Sequence, residues 1–311
     1  MPGPTLRLAT FNVENLFARY RFRANADPRD ADGFGINQLA FDLHDEVDKR
    51  ITADAILDLN ADVIALQEVE NMGVLERFNA RYLAKLGYRH RVLIDGNDPR
   101  QIDLALLSRL PVGNIRTHRH ERNDHNTAAL FSRDCLEVEI DPGAKRQPLT
   151  LYLNHFKSMV EGRSATRARR AEQVARVAAI IDEHWQKADY KGNFAVLGDF
   201  NDYRGRGSSL GALLDHPHLV DPITDLAEAE RWTHYYAGAK RGEKTNQLDY
   251  LLLARGLYER AGRPRAMIMR RGLPFRAEDY DGPRFDGVGQ DNPKASDHCP
   301  VAIDLPLEAL G

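Results

Sequence analysis

Hydrophobic positions along the chain alternate between two periods. Leu6-Arg7-Leu8-Ala9-Thr10-Phe11-Asn12 reads as a strand, Val47 to Leu59 as a helix, Asp62 to Gln67 as a buried strand, and Val74 to Leu86 as a second helix. Strand signals then crowd together at 88 to 94, 103 to 108, 112 to 117, 128 to 140 and 148 to 156, which implies a sheet with antiparallel parts. A long helix is predicted from about Ser164 to Lys187, where Val174, Val177, Ala178, Ile181 and Trp185 recur at helical spacing and face the core. Phe194 to Leu197, a glycine-rich loop near 205 to 211, strands near 248 to 253 and 266 to 270, and a last strand after Pro300 follow. Residues 271 to 295, rich in Gly, Pro, Asp and Arg, read as a long surface loop.

No linker-like, low-complexity or repeated stretch interrupts this mixture, so the expectation is a single domain over residues 1–311, with sheets packed between helices. A chain of 311 residues that is 42% apolar can bury a large core. It has no apolar run of the roughly 18 residues that a membrane span needs, which excludes an integral membrane protein. Its first residues lack the charged and apolar regions of a secretory signal, so a cytoplasmic location is expected. Cys135 and Cys299 are read as buried free thiols, too few for a disulfide framework or a thiolate zinc site.

The net charge of −3 excludes a wholesale basic wrapper of nucleic acid but leaves room for a locally basic cleft. Charge is uneven: residues 27 to 58 are acidic, Arg163, Arg167, Arg169, Arg170 and Arg176 form one basic cluster, and a second runs from Arg255 to Arg276. Solvated faces account for most of these positions. If the clusters flank a cleft, however, residues such as Arg167 and Arg170 would contact successive phosphates of a polymer.

Six segments carry the candidate chemistry, each a strand-forming run that ends in carboxylates, amides or histidine. They are Thr10 to Asn15, Leu66 to Asn71, Leu153 to Ser158, Leu197 to Asp202, Gln247 to Leu252 and Ser296 to Pro300. Polar groups at strand ends can converge on one edge of a sheet, where they are accessible and rigidly held. Asp199 and Asn201, two apart, project to one side of an extended chain, whereas adjacent Asp297 and His298 must lie on a bend to act together. Hard oxygen donors without thiolates favour Mg²⁺, Mn²⁺ or Ca²⁺. His118, His120 and His125 lack a zinc-ligand spacing and are read as a solvated loop.

These motifs, in this order from Asn12 to His298, resemble the endonuclease/exonuclease/phosphatase superfamily, which includes DNase I, abasic-site endonucleases, neutral sphingomyelinases and inositol polyphosphate 5-phosphatases. The segments around Asn15-Leu16-Phe17, Gln67 to Asn71 and Asn154 to Ser158 are most similar to bacterial DNase-like nucleases. The resemblance implies an α/β four-layer sandwich, two mixed β-sheets packed together and flanked by helices, and divalent-metal-dependent cleavage of a phosphate ester, with Mg²⁺, Mn²⁺ or Ca²⁺ as cofactor. It implies that Asn12 and Glu68 form a metal-site pair to which Asp297 contributes, and that Asp199 and Asn201 orient the attacking water. It further implies that His298 and Asp249 form the histidine-carboxylate pair beside the scissile phosphate.

His155 stands where DNase-like members have a second histidine, and Asp103 is expected to be its carboxylate partner. A protonated His155 and Lys157 would supply positive charge, and Arg100 and Asn154 are further candidates for phosphate binding. The expected substrate is nucleic acid, with no obligate protein partner. A lipid or small-molecule phosphodiesterase, which would carry exposed apolar residues around its cleft, and a non-catalytic module of the same fold are the alternatives.

Overall fold

The computed structural model describes residues 3–22, 39–143, 145–238 and 245–311, so the 27 to 38 part of the acidic stretch lies outside the described residues. The first half of the chain runs β1 (Thr5–Leu16), β2 (Ala18–Phe22), β3 (Leu39–Leu43), α1 (Glu46–Leu59), β4 (Val63–Val69) and α2 (Met72–Tyr82). It continues through β5 (His90–Leu93), β6 (Asp103–Ser108), β7 (Val112–Thr117), β8 (Cys135–Ile140) and β9 (Leu149–His155). The second half runs α3 (Arg163–Trp185), β10 (Asn193–Asp199), α4 (Gly211–Leu214), β11 (Leu219–Val220), β12 (His234–Tyr235) and β13 (Thr245–Asn246). Then follow β14 (Asp249–Ala254), α5 (Arg255–Arg260), β15 (Met267–Ile268) and β16 (Val301–Pro306).

Ten of these strands and two short edge pieces make two six-stranded sheets, ordered β15-β16-β1-β4-β6-β5 and β11-β14-β10-β9-β8-β7. Each sheet is mixed in the same way, with one parallel pair at its centre, β1 with β4 and β9 with β10, and antiparallel neighbours on either side. Side-chain alternation then sorts the apolar residues. Ala9, Phe11, Ile64, Leu66, Ala105 and Leu107 pack with Ile56 and Leu59 of α1 and with Leu75 and Phe78 of α2. Leu8, Val63, Ala65, Leu104 and Leu106 face the other way and join Leu136, Leu151, Leu197 and Leu251 of the second sheet in a core that extends to Val174, Val177 and Ile181 of α3. This is an α/β sandwich of two mixed sheets with helices outside, as expected from the motifs.

Two local departures from the expected elements have clear causes. The predicted strand 128 to 140 joins the sheet only from Cys135, its 128 to 130 part bridging back to 121 to 123 instead, because Asp134 turns into the left-handed region (φ 73°) and its carboxylate accepts the His118 and Cys135 amides. The second helix starts at Met72 because Asn71 caps it, accepting from the Val74 amide at 3.0 Å. Asn71 therefore has a helix-capping role.

Arg170 is a correction of another kind. It is fully buried, and its guanidinium donates to Ser209, Thr166 and the carbonyls of Lys157 and Arg163, beside Asp202. It holds the segment after β9 and the loop after β10 onto α3, and it is not a cleft surface. Arg163, Arg176 and Arg270 are likewise taken up by Asp202, by Glu121 and Glu183, and by Glu230 and Trp232. Replacing Arg170 by Ala should therefore cost about 3 kcal/mol or more of unfolding free energy, because Asp202 is left buried with less compensation. Arg167→Ala, whose side chain lies on the surface and bonds the Gly207 carbonyl, should stay within about 0.5 kcal/mol of the parent in the same denaturant titration.

Candidate active site

The ends of the central strands in both sheets meet along one edge. There the backbone leaves ordinary strand geometry at Glu14, Asn15, Glu68 and Asn201, all with positive φ between 47° and 69°. Non-glycine residues rarely adopt that region, and its concentration here marks a place where packing holds the chain in conformations it would not choose. Gly198 serves the same end. Its φ is 134°, and a Cβ there would sit 1.9 Å from the Asn154 carbonyl oxygen, so only glycine lets β10 lie against β9 with Asp199 beside His155.

Asp199 is the centre of the cluster. One of its oxygens accepts from the side-chain amides of Asn12 and Asn201, each at 3.0 Å, and the other from the Asn201 backbone amide at 2.8 Å. His155 Nε2 and His298 Nε2 approach the carboxylate at 3.5 and 3.8 Å. Burial, with Asp249 nearby, pushes the Asp199 carboxyl up to about 7 against the pull of His298 and its amide donors. Glu68 stands beside it, bonded to the Asn12 amide and to the Asn15 N–H, and 3.9 Å from His155 Nε2.

His298 donates from Nδ1 to Asp249 at 2.9 Å, and Asp249 in turn accepts from the Thr233 hydroxyl at 2.7 Å. Burial opposes the charged ring, but Asp249, Asp199 and Asp297 outweigh it and raise His298 well above its ordinary value. Burial also penalises the Asp297 carboxylate, yet His234, His298 and Lys294 hold it well below the usual range. Two three-residue groups, Asp199 with Asp249 and His298, and His234 with Asp297 and His298, bring ligand atoms close enough together to hold a metal ion. One Asp249 oxygen is buried without a hydrogen-bond partner. Surplus buried carboxylate of this kind fits a divalent cation.

The sequence model of the Endonuclease/Exonuclease/phosphatase family matches residues 7–261. The chain belongs to the endonuclease/exonuclease/phosphatase family. No curated protein matches it in sequence. In fold it is similar to the human Nocturnin catalytic domain (16% identity, 97% of this chain and 94% of that one, TM-score 0.60). It is equally similar to a family protein from Bacteroides thetaiotaomicron (15%, 97% and 98%, TM-score 0.60) and to sphingomyelinase C from Streptomyces griseocarneus (16%, 97% and 99%, TM-score 0.60).

Within this endonuclease/exonuclease/phosphatase fold, Asn12, Glu68, His155, Asp199, Asn201, Asp249, Asp297 and His298 come together, and other predicted residues do not. Asn12 turns its Nδ2 to Glu68 and Asp199 and its Oδ1 to the Glu14 amide, so it is placed as a clamp on the carboxylates. Asn154 is fully buried, donates to the Tyr152 carbonyl and pairs with Cys135 of β8; its neighbour His155 takes the site-facing side of the strand, and successive side chains point to opposite faces. Lys157 is tied to the exposed Glu161 at 2.5 Å. Burial and the charges of Arg133, His298 and Arg100 hold His155 well below its ordinary value, which works against the positive charge expected of it.

An arginine that the sequence did not single out brings a buried positive charge to the same place. Arg133 is 2% exposed, pairs with Asp98 at 3.2 Å, donates to the Phe156 carbonyl and feels both Glu68 and Asp199. Arg100 holds the other side of Asp98 and is also within the field of Glu68. His234 is the second unanticipated residue. It follows Trp232 and Thr233 in a stretch with no strand-end signature, and only pairing with the chain near His298 brings it to the site.

The expected pairing of Asp103 with His155 is not made. Asp103 accepts from the Gly96 amide at 2.9 Å, and His155 Nδ1 is buried with no hydrogen-bond partner. Burial pushes the Asp103 carboxyl up to about 6, above its ordinary 3.8, so folding favours the protonated form. Its contribution to stability is present at low pH and is lost as pH rises from about 4 through 6. Asp103→Asn keeps an acceptor for Gly96 and cannot titrate. Urea midpoints should therefore show the parent losing ground to this variant between pH 4 and 7; the parent gaining ground instead would mean that Asp103 is held as a carboxylate.

Proposed function

We propose that this protein is a divalent-metal-dependent phosphodiester hydrolase that cleaves nucleic acid. The observation that carries the reading is the buried chain Thr233–Asp249–His298–Asp199, whose His298 Nε2 also approaches Asp297 and whose Asp199 is linked through the Asn12 amide to Glu68. Asp249 fixes the ring so that Nε2 faces the reacting centre, and the raised proton affinity of His298 lets it present a proton there. Asp199, poised near 7, accepts a proton from an attacking water, and Asn201 and Asn12 hold the carboxylate in place through their amides. Arg133 and Arg100 add positive potential beside Glu68, where non-bridging phosphate oxygens gain charge in the transition state. Glu68 and Asp297 would hold the ion, which when bound supplies Lewis-acid polarisation of the phosphoryl group.

Nucleic acid is favoured over a lipid by the arginine-flanked carboxylates, although Val160, 92% exposed after His155, and Tyr236, 59% exposed after His234, are apolar side chains of the kind a lipid enzyme displays. Vesicle and plasmid substrates separate the two readings. EDTA should abolish hydrolysis and Mg²⁺ or Mn²⁺ should restore it; Glu68→Ala should lower kcat on the order of 10² or more with the melting temperature little changed, and His298→Ala should lower it as much while also lowering the melting temperature, because Asp249 is left buried without its imidazole partner. Full turnover in excess chelator sinks the assignment.

With most of the predicted arginine cluster internally paired, the number of phosphates contacted is small, and about two contacts correspond to a loss of roughly tenfold between about 50 and 200 mM salt. Plasmid cleavage should show that modest slope and bis-p-nitrophenyl phosphate turnover almost none. Cleavage of sphingomyelin vesicles with no action on plasmid or RNA would replace the nuclease reading by the lipid one.

A further inference from the structure

His234 belongs to none of the roles assigned so far. Its Nε2 lies 3.7 Å from Asp297 Oδ2, and His298 Nε2 lies 3.9 Å from the other oxygen, Oδ1. Both separations exceed a hydrogen bond. Yet one ligand atom from each of the three residues lies within 4.8 Å of the other two. Donors about 2.1 Å from a tetrahedral ion sit about 3.4 Å apart, so the gap between these groups is close to the size of an ion.

The gap is held by backbone rather than by the side chains themselves. His234 and His298 form a β-bridge, the Tyr235 amide donates to the Asp297 carbonyl at 2.9 Å, and the Cys299 amide to the Thr233 carbonyl at 2.6 Å. The two imidazole rings lie 4.6 Å apart. Asp249 engages His298 Nδ1 at 2.9 Å and is itself held by Thr233, which leaves Nε2 as the nitrogen open to the gap. A carboxylate behind the imidazole is the arrangement that orients metal-ligating histidines.

We propose that His234, Asp297 and His298 form a binding position for a borderline-soft divalent transition ion of the Zn²⁺ class, distinct in chemistry from the oxygen-rich cluster around Glu68. Two imidazoles and one carboxylate with coordination left open is a zinc ligand set and a poor one for Mg²⁺, which prefers oxygen and keeps its waters. An ion bound there takes Asp297 and His298 out of phosphodiester hydrolysis, so Zn²⁺ inhibits the Mg²⁺-supported reaction. This consequence rests on the hydrolase reading, whereas the binding position does not.

The test is an equilibrium titration of the metal-free full chain with Zn²⁺ against a chromophoric chelator. The parent should show one tight site, His234→Gln should bind at least about tenfold more weakly, and Glu68→Ala should bind like the parent. Melting curves without zinc check that the variants are folded. X-ray absorption of the zinc-loaded parent, which needs no variant, should find two imidazoles on the ion. Equal affinity of the parent and a folded His234→Gln, or fewer than two imidazoles, overturns the proposal. Zinc binding through His234 in a protein that hydrolyses no phosphodiester would leave this site standing and remove the hydrolase reading.

Discussion

One hydrogen bond crosses between the two sheets at the site: the amide of Asn12, at the end of β1, donates to Asp199, at the end of β10, across 3.0 Å. Asn12 also reaches Glu68 on β4, so a single carboxamide fixes the separation of two carboxylates that would otherwise repel each other in a nearly dry setting. Its position depends on the packing between the sheets, where the inward residues of β1, β4 and β6 set how closely β10 can approach. A large-to-small change in that core would therefore be felt as a change in the spacing of charges at the edge.

Around this link the protein surrounds its carboxylates with cations that are themselves buried or half-buried. Arg133 is held by Asp98, Lys294 pairs with Glu14 at 2.7 Å, and Glu14 in turn accepts the Asp297 amide. Lys49, almost completely buried, donates to the Val13 carbonyl at 2.7 Å and to the Glu14 carbonyl. Such groups are costly singly and tolerable only as a satisfied network, so the network is rigid. That rigidity gives the site preorganised electrostatics, the property that stabilises charge developing in a transition state.

The strands and main helices were legible because their apolar residues keep periods of 2 and 3.6 through nearly every element that packs on the core. The pairs β2 with β3 and β12 with β13 were not, being short ribbons whose partner lies some distance along the chain. The family motifs located the carboxylates and His298, since strand ends place them. They misplaced groups whose direction depends on one residue of parity or on a loop: Asn154 points away because His155 points in, and Asp103 meets Gly96 because the 95 to 98 loop folds over it. Arg170 was recoverable, for Arg163, Thr166, Arg170, Gln173 and Val177 are spaced by three and four along α3 and so share its packed side. Arg133 was not, because it lies in a segment read as continuous strand.

The last strand, β16, pairs antiparallel with the first, Thr5 opposite Pro306, and Ser296 donates to the Asn12 carbonyl across 284 residues of chain. During translation at about 5 to 20 residues per second, roughly 15 to 60 seconds pass between the appearance of Asn12 and that of Ser296. Throughout that interval β1 has no antiparallel neighbour, and Asp297 and His298 do not yet exist. The residues that complete the His298 cluster are thus the last to arrive, and until they do the Asn12 carbonyl and Asp249 lack the Ser296 and His298 partners they hold in the finished fold.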